Sequence, residues 1–170
     1  EIFNCHTQHV LRCFMLKLNS LREALTSNCR WCKASPEKFT VFIESGGIET
    51  TGESPSFLYR YNLVLFVMDF TESIDNIMLP VMAWLYRNQP DLLLNPEKNK
   101  SIKFSTAIND DDSADILLEI PVWERVIVRR NDDGTVTAEH IGEPPISRAL
   151  EAWRVVFEDM TWRTGTETST

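Results

Sequence analysis

The chain has 170 residues, 43% of them hydrophobic, and a formal net charge of −8. That length suits one domain with a real core. With no Lys/Arg cluster longer than two neighbours, the charge speaks against a surface built to grip phosphates, so sequence-specific binding of nucleic acid is not expected. No apolar run reaches the roughly 18–20 residues that span a bilayer, so no membrane is expected either.

Glu1 to Phe14 reads as a leader outside the folded unit, with Met15 as the natural start. Polar Asn4, His6, Gln8 and His9 interrupt any signal-peptide core. Cys5, Cys13, Cys29 and Cys32 all fall in the first 32 residues. A disulfide scaffold would spread them through the fold, so a reducing, cytosolic site of synthesis is expected. Zinc held by Cys5, His6, His9, Cys13, Cys29 and Cys32 is chemically possible. Four of the six precede Met15, so a dispensable leader is the simpler reading, and no metal or cofactor is expected.

Leu18 to Lys33 is predicted to be a helix, with Leu18, Leu21, Leu25, Cys29 and Cys32 at helical spacing and Asn19 or Ser20 as its cap. Cys29-Arg-Trp-Cys32 is a CxxC late in that helix, without the preceding strand of a redox enzyme, and reads as core. Phe39 to Glu44 alternates as a strand, Gly46-Gly47 breaks it, and Ile48 to Ser56 is a polar loop or hairpin arm. The Ser45-Gly-Gly-Ile run lacks the Lys-Ser/Thr of a phosphate loop. Phe57 to Phe70 is the best strand, apolar on both faces in its second half, as a covered central strand is.

Asp69 to Pro90 is the organising stretch, a buried amphipathic helix built on Ile77, Val81, Trp84 and Leu85. Thr71 or Ser73 is the expected cap, and Glu72 and Asp75 favour the helix start. Pro80 inside it predicts a kink near Ile77 and costs about 3 kcal/mol, which burial of its large neighbours can offset. Asp91 to Lys100 reads as a loop. Ile102 to Ile108, Ile116 to Arg130 and Thr135 to Ile141 alternate as strands, joined by the polar turns at Asn109–Ser113 and Asn131–Gly134. Pro121 should mark an edge, bend or bulge. Gly142 to Pro145 closes the domain. Beyond it Ala149, Leu150, Trp153, Val156, Phe157 and Met160 fit a helical stripe, and Trp153, Val155 and Phe157 fit a strand equally well. Trp153, Val156 and Phe157 would be exposed in a lone subunit, which makes them possible partner contacts. Thr164 to Thr170 is expected to be a disordered polar tail.

The fold class is therefore α+β: a mixed, largely antiparallel sheet of about four to six strands against two main helices. The expected division is a leader at 1–14, the domain at 15–145 and an extension at 146–170. No catalytic group is predicted. His140 has no serine or cysteine beside it in sequence, and Asp110, Asp111 and Asp112 lack the spacing and glycine of a calcium loop. A small thiol-redox or hydrolytic enzyme using Cys32 or His140 is the competing class.

Several blocks are similar to the tail completion protein R (GpR) family of P2-like contractile-tailed phages. They are Met15 to Thr26, Tyr61-Asn-Leu-Val-Leu, Asp69-Phe-Thr, Leu79-Pro-Val-Met-Ala-Trp-Leu-Tyr-Arg-Asn-Gln-Pro-Asp91, Ala107-Ile-Asn, Leu118 to Arg125 and Glu143-Pro-Pro. The resemblance covers about Met15 to Pro145; Trp84 to Asp91 is its most specific part. It implies a structural virion protein made in the bacterial cytoplasm, acting at the head-proximal end of the tail. There it would cap the tube and prepare head–tail joining. Its implied partners are copies of itself in a ring (hexameric in related tail terminators), the tail tube protein and head–tail connector or neck proteins. A head-side neck role is the alternative. A tail-terminator-like fold follows from the same resemblance.

Overall fold

Alternation of apolar residues in Phe57–Phe70 and Ala114–Arg130 builds the middle of the sheet. A computed structural model describes residues 15–110, 112–144 and 151–157. Strands β1 (Phe39–Glu49), β2 (Phe57–Phe70), β3 (Lys103–Ile108), β4 (Ala114–Arg130) and β5 (Val136–Ile141) form one sheet. Every pairing is antiparallel, with β1 on β2 and β2 on β4. The other edge of β4 is shared: β3 covers it up to Glu119, and β5 covers it from Arg125 onward. Among the described residues no strand pairs residues 120–124 on that edge.

Helices α1 (Leu16–Asn28) and α3 (Asp75–Asn88) are the two main helices of this α+β fold. Leu21 and Leu25 of α1, with Ile77, Val81, Trp84 and Leu85 of α3, are buried against one face of the sheet. That face presents Tyr61, Leu63, Leu65 and Val67 from β2 and Ile116, Leu118, Ile120 and Val122 from β4. Each large side chain so covered stabilises the fold by about 1.5–3 kcal/mol. The Trp84 indole N–H donates to Ser20 Oγ at 2.9 Å, so the largest core ring leaves no polar atom unsatisfied. Pro80 is buried within α3, which runs through it unbroken.

The first helix differs from the expected Leu18–Lys33. It breaks at Cys29, whose extended backbone starts a second short helix, α2 (Arg30–Ala34). Asn19 and Ser20 lie inside α1, so neither caps it. In α3 the residue before the first turn is Ile74, and Ser73 Oγ only approaches Asp75 N at 3.4 Å. Strand β1 does not stop at Gly46-Gly47; a bulge between Ile43 and Gly46 carries it on to Glu49. At Gly46 an added Cβ would lie 3.0 Å from Arg60 O and Tyr61 Cβ, which suits a residue without one. The expected loop 91–100 instead winds into α4 (Pro90–Leu94) and α5 (Pro96–Asn99), each with proline in its first turn, where no backbone donor is missed.

Pro121 does not interrupt β4, because it stands on the unpaired stretch of the edge. Residues of its parity direct their backbone groups away from β2, to an edge that no strand occupies there. Helix α6 (Glu151–Phe157) packs on α3. The leader at 1–14 and the tail at 164–170 lie outside the described residues. Among the described residues no helix is long and apolar enough to cross a membrane.

Candidate functional site

The functional residues that the one-dimensional reading misses sit where β4's edge is unpaired. Lys17 falls in helical phase with Leu21 and Leu25, and Glu124 falls in strand phase with Val122 and Val126. Two opposite charges at core-facing positions are the signal that would have found them. In the structure Lys17 is 6% exposed, Glu124 2% and Gln89, at the end of α3, 0%.

Glu124 gathers four donors. Its Oε1 accepts from Lys17 N at 2.9 Å and from Tyr61 Oη at 2.5 Å. Its Oε2 accepts from Leu16 N at 3.3 Å and lies 2.7 Å from His140 Nδ1, which donates in its Nδ1–H tautomer. A carboxylate offers about four lone-pair sites, so Glu124 has none left for a substrate. Two of its donors are orphan N–H groups of α1's first turn. A residue 107 positions away therefore caps that helix and sets a negative charge at its positive end.

Lys17 Nζ has three donors and uses them all: on Gln89 Oε1 at 2.5 Å, Trp123 O at 2.6 Å and Glu143 Oε1 at 2.9 Å. Gln89 Oε1 also accepts from Trp123 N at 3.3 Å. Lys17 and Gln89 thus take over the backbone groups of Trp123 that a neighbouring strand would otherwise pair. Gln89 Nε2 is the buried side-chain donor left without a partner among the described residues. Burial pulls the Lys17 amine below its usual range, against the opposing pull of Glu143 and Glu124. Burial, and then the bond to Glu124, pushes the Tyr61 phenol well above its usual range.

The cluster ties together α1, α3, β2, β4, β5 and the segment leaving β5. Chemically it is a clasp. His140, isolated in sequence, finds Glu124 as its partner and stacks on Tyr59 at 6.0 Å.

Cys29 and Cys32 are free thiols, 1% and 0% exposed. Cys29 Sγ accepts from Cys32 N at 3.4 Å across the start of α2. The hydrogen bond shared by the two thiols draws Cys29 down and pushes Cys32 up. Trp31, stacked edge-on against Phe70 at 5.0 Å, belongs to the same core. Among the described residues no group of three or more His, Cys, Asp or Glu side chains is placed to hold a metal ion; Cys5, His6, His9 and Cys13 lie outside them.

Ile77, Val81, Trp84 and Leu85 are all buried in the core. Of the three C-terminal residues, Val156 is 56% exposed. Phe157 is instead 7% exposed, its ring 5.9 Å from Tyr86, and Trp153 stacks on Tyr86 at 6.4 Å. Arg87 donates to Phe157 O at 3.1 Å and holds the end of α6.

An open groove of about 630 Å³ lies on the sheet face turned away from α1 and α3. Leu58, Asn62, Pro121 and Trp123 line its middle, and Arg60, Lys98 and Arg125 stand around them.

The family model for P2 phage tail completion protein R (GpR) matches residues 15–144. Tail completion protein R of Escherichia phage P2 is 38% identical over 145 residues, covering 82% of this chain and 93% of that protein. No solved structure matches the chain.

Proposed function

This chain belongs to the P2 phage tail completion protein R (GpR) family, and from that premise we propose that it closes the head-proximal end of the tail tube and readies it to join the head. It is a structural protein of phage tail assembly and works by contact with other tail proteins. The observation that carries the reading is the extent of the match, which takes in α1 to β5 and the whole buried clasp. The finer reading is a ring of identical subunits seated on the tube. Three sheet edges support it, since among the described residues β1, β3 and β5 each have an outer side with no strand on it. Such edges pair readily with another chain. Residues 15–145 form the completion domain, and the extension offers the outward pair Val155 and Val156 as a further contact, while Trp153 and Phe157 fasten it to α3.

A structural role also accounts for the chemistry. The polar groups that would attract a catalytic reading are consumed in holding the fold. Negative-stain imaging of particles made without the protein tests the proposal. Tails of uncontrolled length, or tails unjoined to heads, are the expected result. Heads leaking DNA beside normally finished tails would move the role to the neck, and intact infectious particles would overturn both.

A further inference from the structure

We propose that the Trp123 groove receives the acidic corner between β3 and β4 of a neighbouring copy of this chain; the inference rests on the ring reading above. Three cations and one carboxylate, Asp91, line the groove in a chain of net charge −8. Arg60 Cζ lies 5.6 Å and Lys98 Nζ 5.3 Å from the centroid of the Trp123 ring, and Arg125 lines the same groove from β4. These cations come from three different elements; two of them stand over one indole and the third lies along the same groove. Arg60 is paired with Glu49, and Lys98 with Asp91 at 2.5 Å, but both pairs are about half exposed. Pairs so exposed contribute little and exchange easily for a partner that also excludes water. Arg125 is exposed. A guanidinium beside an aromatic face can hold a carboxylate through two parallel bonds.

The counterpart sits at the start of β4. Asn109 Nδ2 donates to Asp69 Oδ1 at 3.3 Å and to Asp115 Oδ1 at 2.9 Å, so two strands and a turn are pinned into one acidic corner. Asp110 and Asp112 project from the same turn and are exposed. The N–H of Asp112 holds the Asp110 carboxyl below its usual range. Among the described residues the cation in ion-pair reach of the corner is Lys38, 3.8 Å from Asp69.

Trp123 follows Asp115 by eight residues of continuous strand, roughly 27 Å at the usual rise of about 3.4 Å per residue. A subunit therefore cannot place its own corner in its own groove. A second copy can, and the contact then joins two different patches, as a head-to-tail ring requires. Copies carrying a charge of −8 repel one another unless their contact sets opposite charges together. Three cations along one groove are also too few, and too localised, for the extended phosphate contacts of a duplex.

Sedimentation velocity of the purified full chain tests this. It needs the wild type, Arg125→Glu/Lys98→Glu, Asp110→Lys/Asp112→Lys and the fourfold combination. Each paired reversal should weaken self-association by at least about tenfold, the fourfold swap should restore it, and unchanged thermal melts would show the fold intact. A ring that survives both reversals overturns the groove contact and leaves the ring standing. A wild type that is monomeric at every concentration, yet still completes tails, overturns both. Failure of the fourfold swap to reassociate overturns the pairing of these two patches. A short DNA duplex retained by the wild type and released by Arg125→Glu/Lys98→Glu, with assembly unchanged, would assign the groove to phosphates instead.

Discussion

The two halves of the sheet are built from the same strands and obey different rules. In the half backed by α1 and α3, alternate residues of β2 and β4 are sealed: Leu63, Leu65, Ile116, Leu118 and Ile120 are at most 2% exposed. In the other half, where β1 and β2 pair beyond the bulge and β5 pairs the end of β4, no helix among the described residues follows. Ile48 and Val136 there are 67% and 66% exposed. Phe57, Tyr59 and His140 cover one another in a row of ring contacts, with Phe57 edge-on to Tyr59 at 5.0 Å. Backbone pairing and this thin row of side chains around the buried Val126 hold that half, while packing against two helices holds the first. The clasp around Lys17 and Glu124 lies at the boundary, where β4's edge passes from β3 to β5. A continuous ladder of hydrogen bonds does not give uniform stability; apolar burial decides which part of a strand is firm.

Glu124→Ala should break the comparison hardest. It strips the acceptor from four donors, including two first-turn N–H groups of α1. The loss should be about 3–5 kcal/mol. At roughly 2–4 °C per kcal/mol for a chain of this size, calorimetry would show a drop of at least about 6 °C.

Lys17→Met keeps the stem and removes the three bonds to Gln89, Trp123 and Glu143. A loss of about 1–3 kcal/mol is expected in chemical denaturation, with hydrogen exchange accelerated at Trp123 more than at Leu118.

The clasp should also give the firm half an alkaline signature with two opposite slopes. Tyr61 is raised above its ordinary value of 10, so above that pH the unfolded chain releases a proton that the folded chain keeps, and stability falls as pH rises. Lys17 is lowered below its ordinary value of 10.5, so just below that value the unfolded chain holds the extra proton, and stability rises with pH. Denaturation midpoints measured from about pH 8 to 12 should show Tyr61→Phe flattening the fall and Lys17→Met flattening the rise. Parallel curves for all three proteins would contradict the assignment.

The smallest effect belongs to the bare half. Ile48→Thr or Val136→Thr should change stability by no more than about 0.5 kcal/mol. A loss several times larger in the isolated chain would mean that this half carries packing that the structure does not show.

Much of the fold was legible because its signals are local. The stripe Ile77, Val81, Trp84, Leu85 announces α3, and the polar turns at Asn109–Ser113 and Asn131–Gly134 announce the hairpins. The break at Cys29 was not legible, because leucines and cysteines at helical spacing carry across it. Gly46-Gly47 looked like a terminus because a glycine that ends a strand and one that bulges it have the same composition. The candidate site was least legible. Glu124 reads as one more charge within a strand, and only its parity with Val122 and Val126 sets it inside.

The order of residues by itself determined which segments coil, extend or turn, and which side of each is apolar, because those depend on neighbours within a few positions. Only the tertiary structure decided that Lys17, Gln89, Glu124, His140 and Glu143 meet, and that a carboxylate from β4 caps α1. Such groups are costly inside unless their donors find acceptors. Apart from Gln89 Nε2, the donors of the clasp find theirs, on segments as far as a hundred residues apart or more, brought together by the burial of the apolar faces around them.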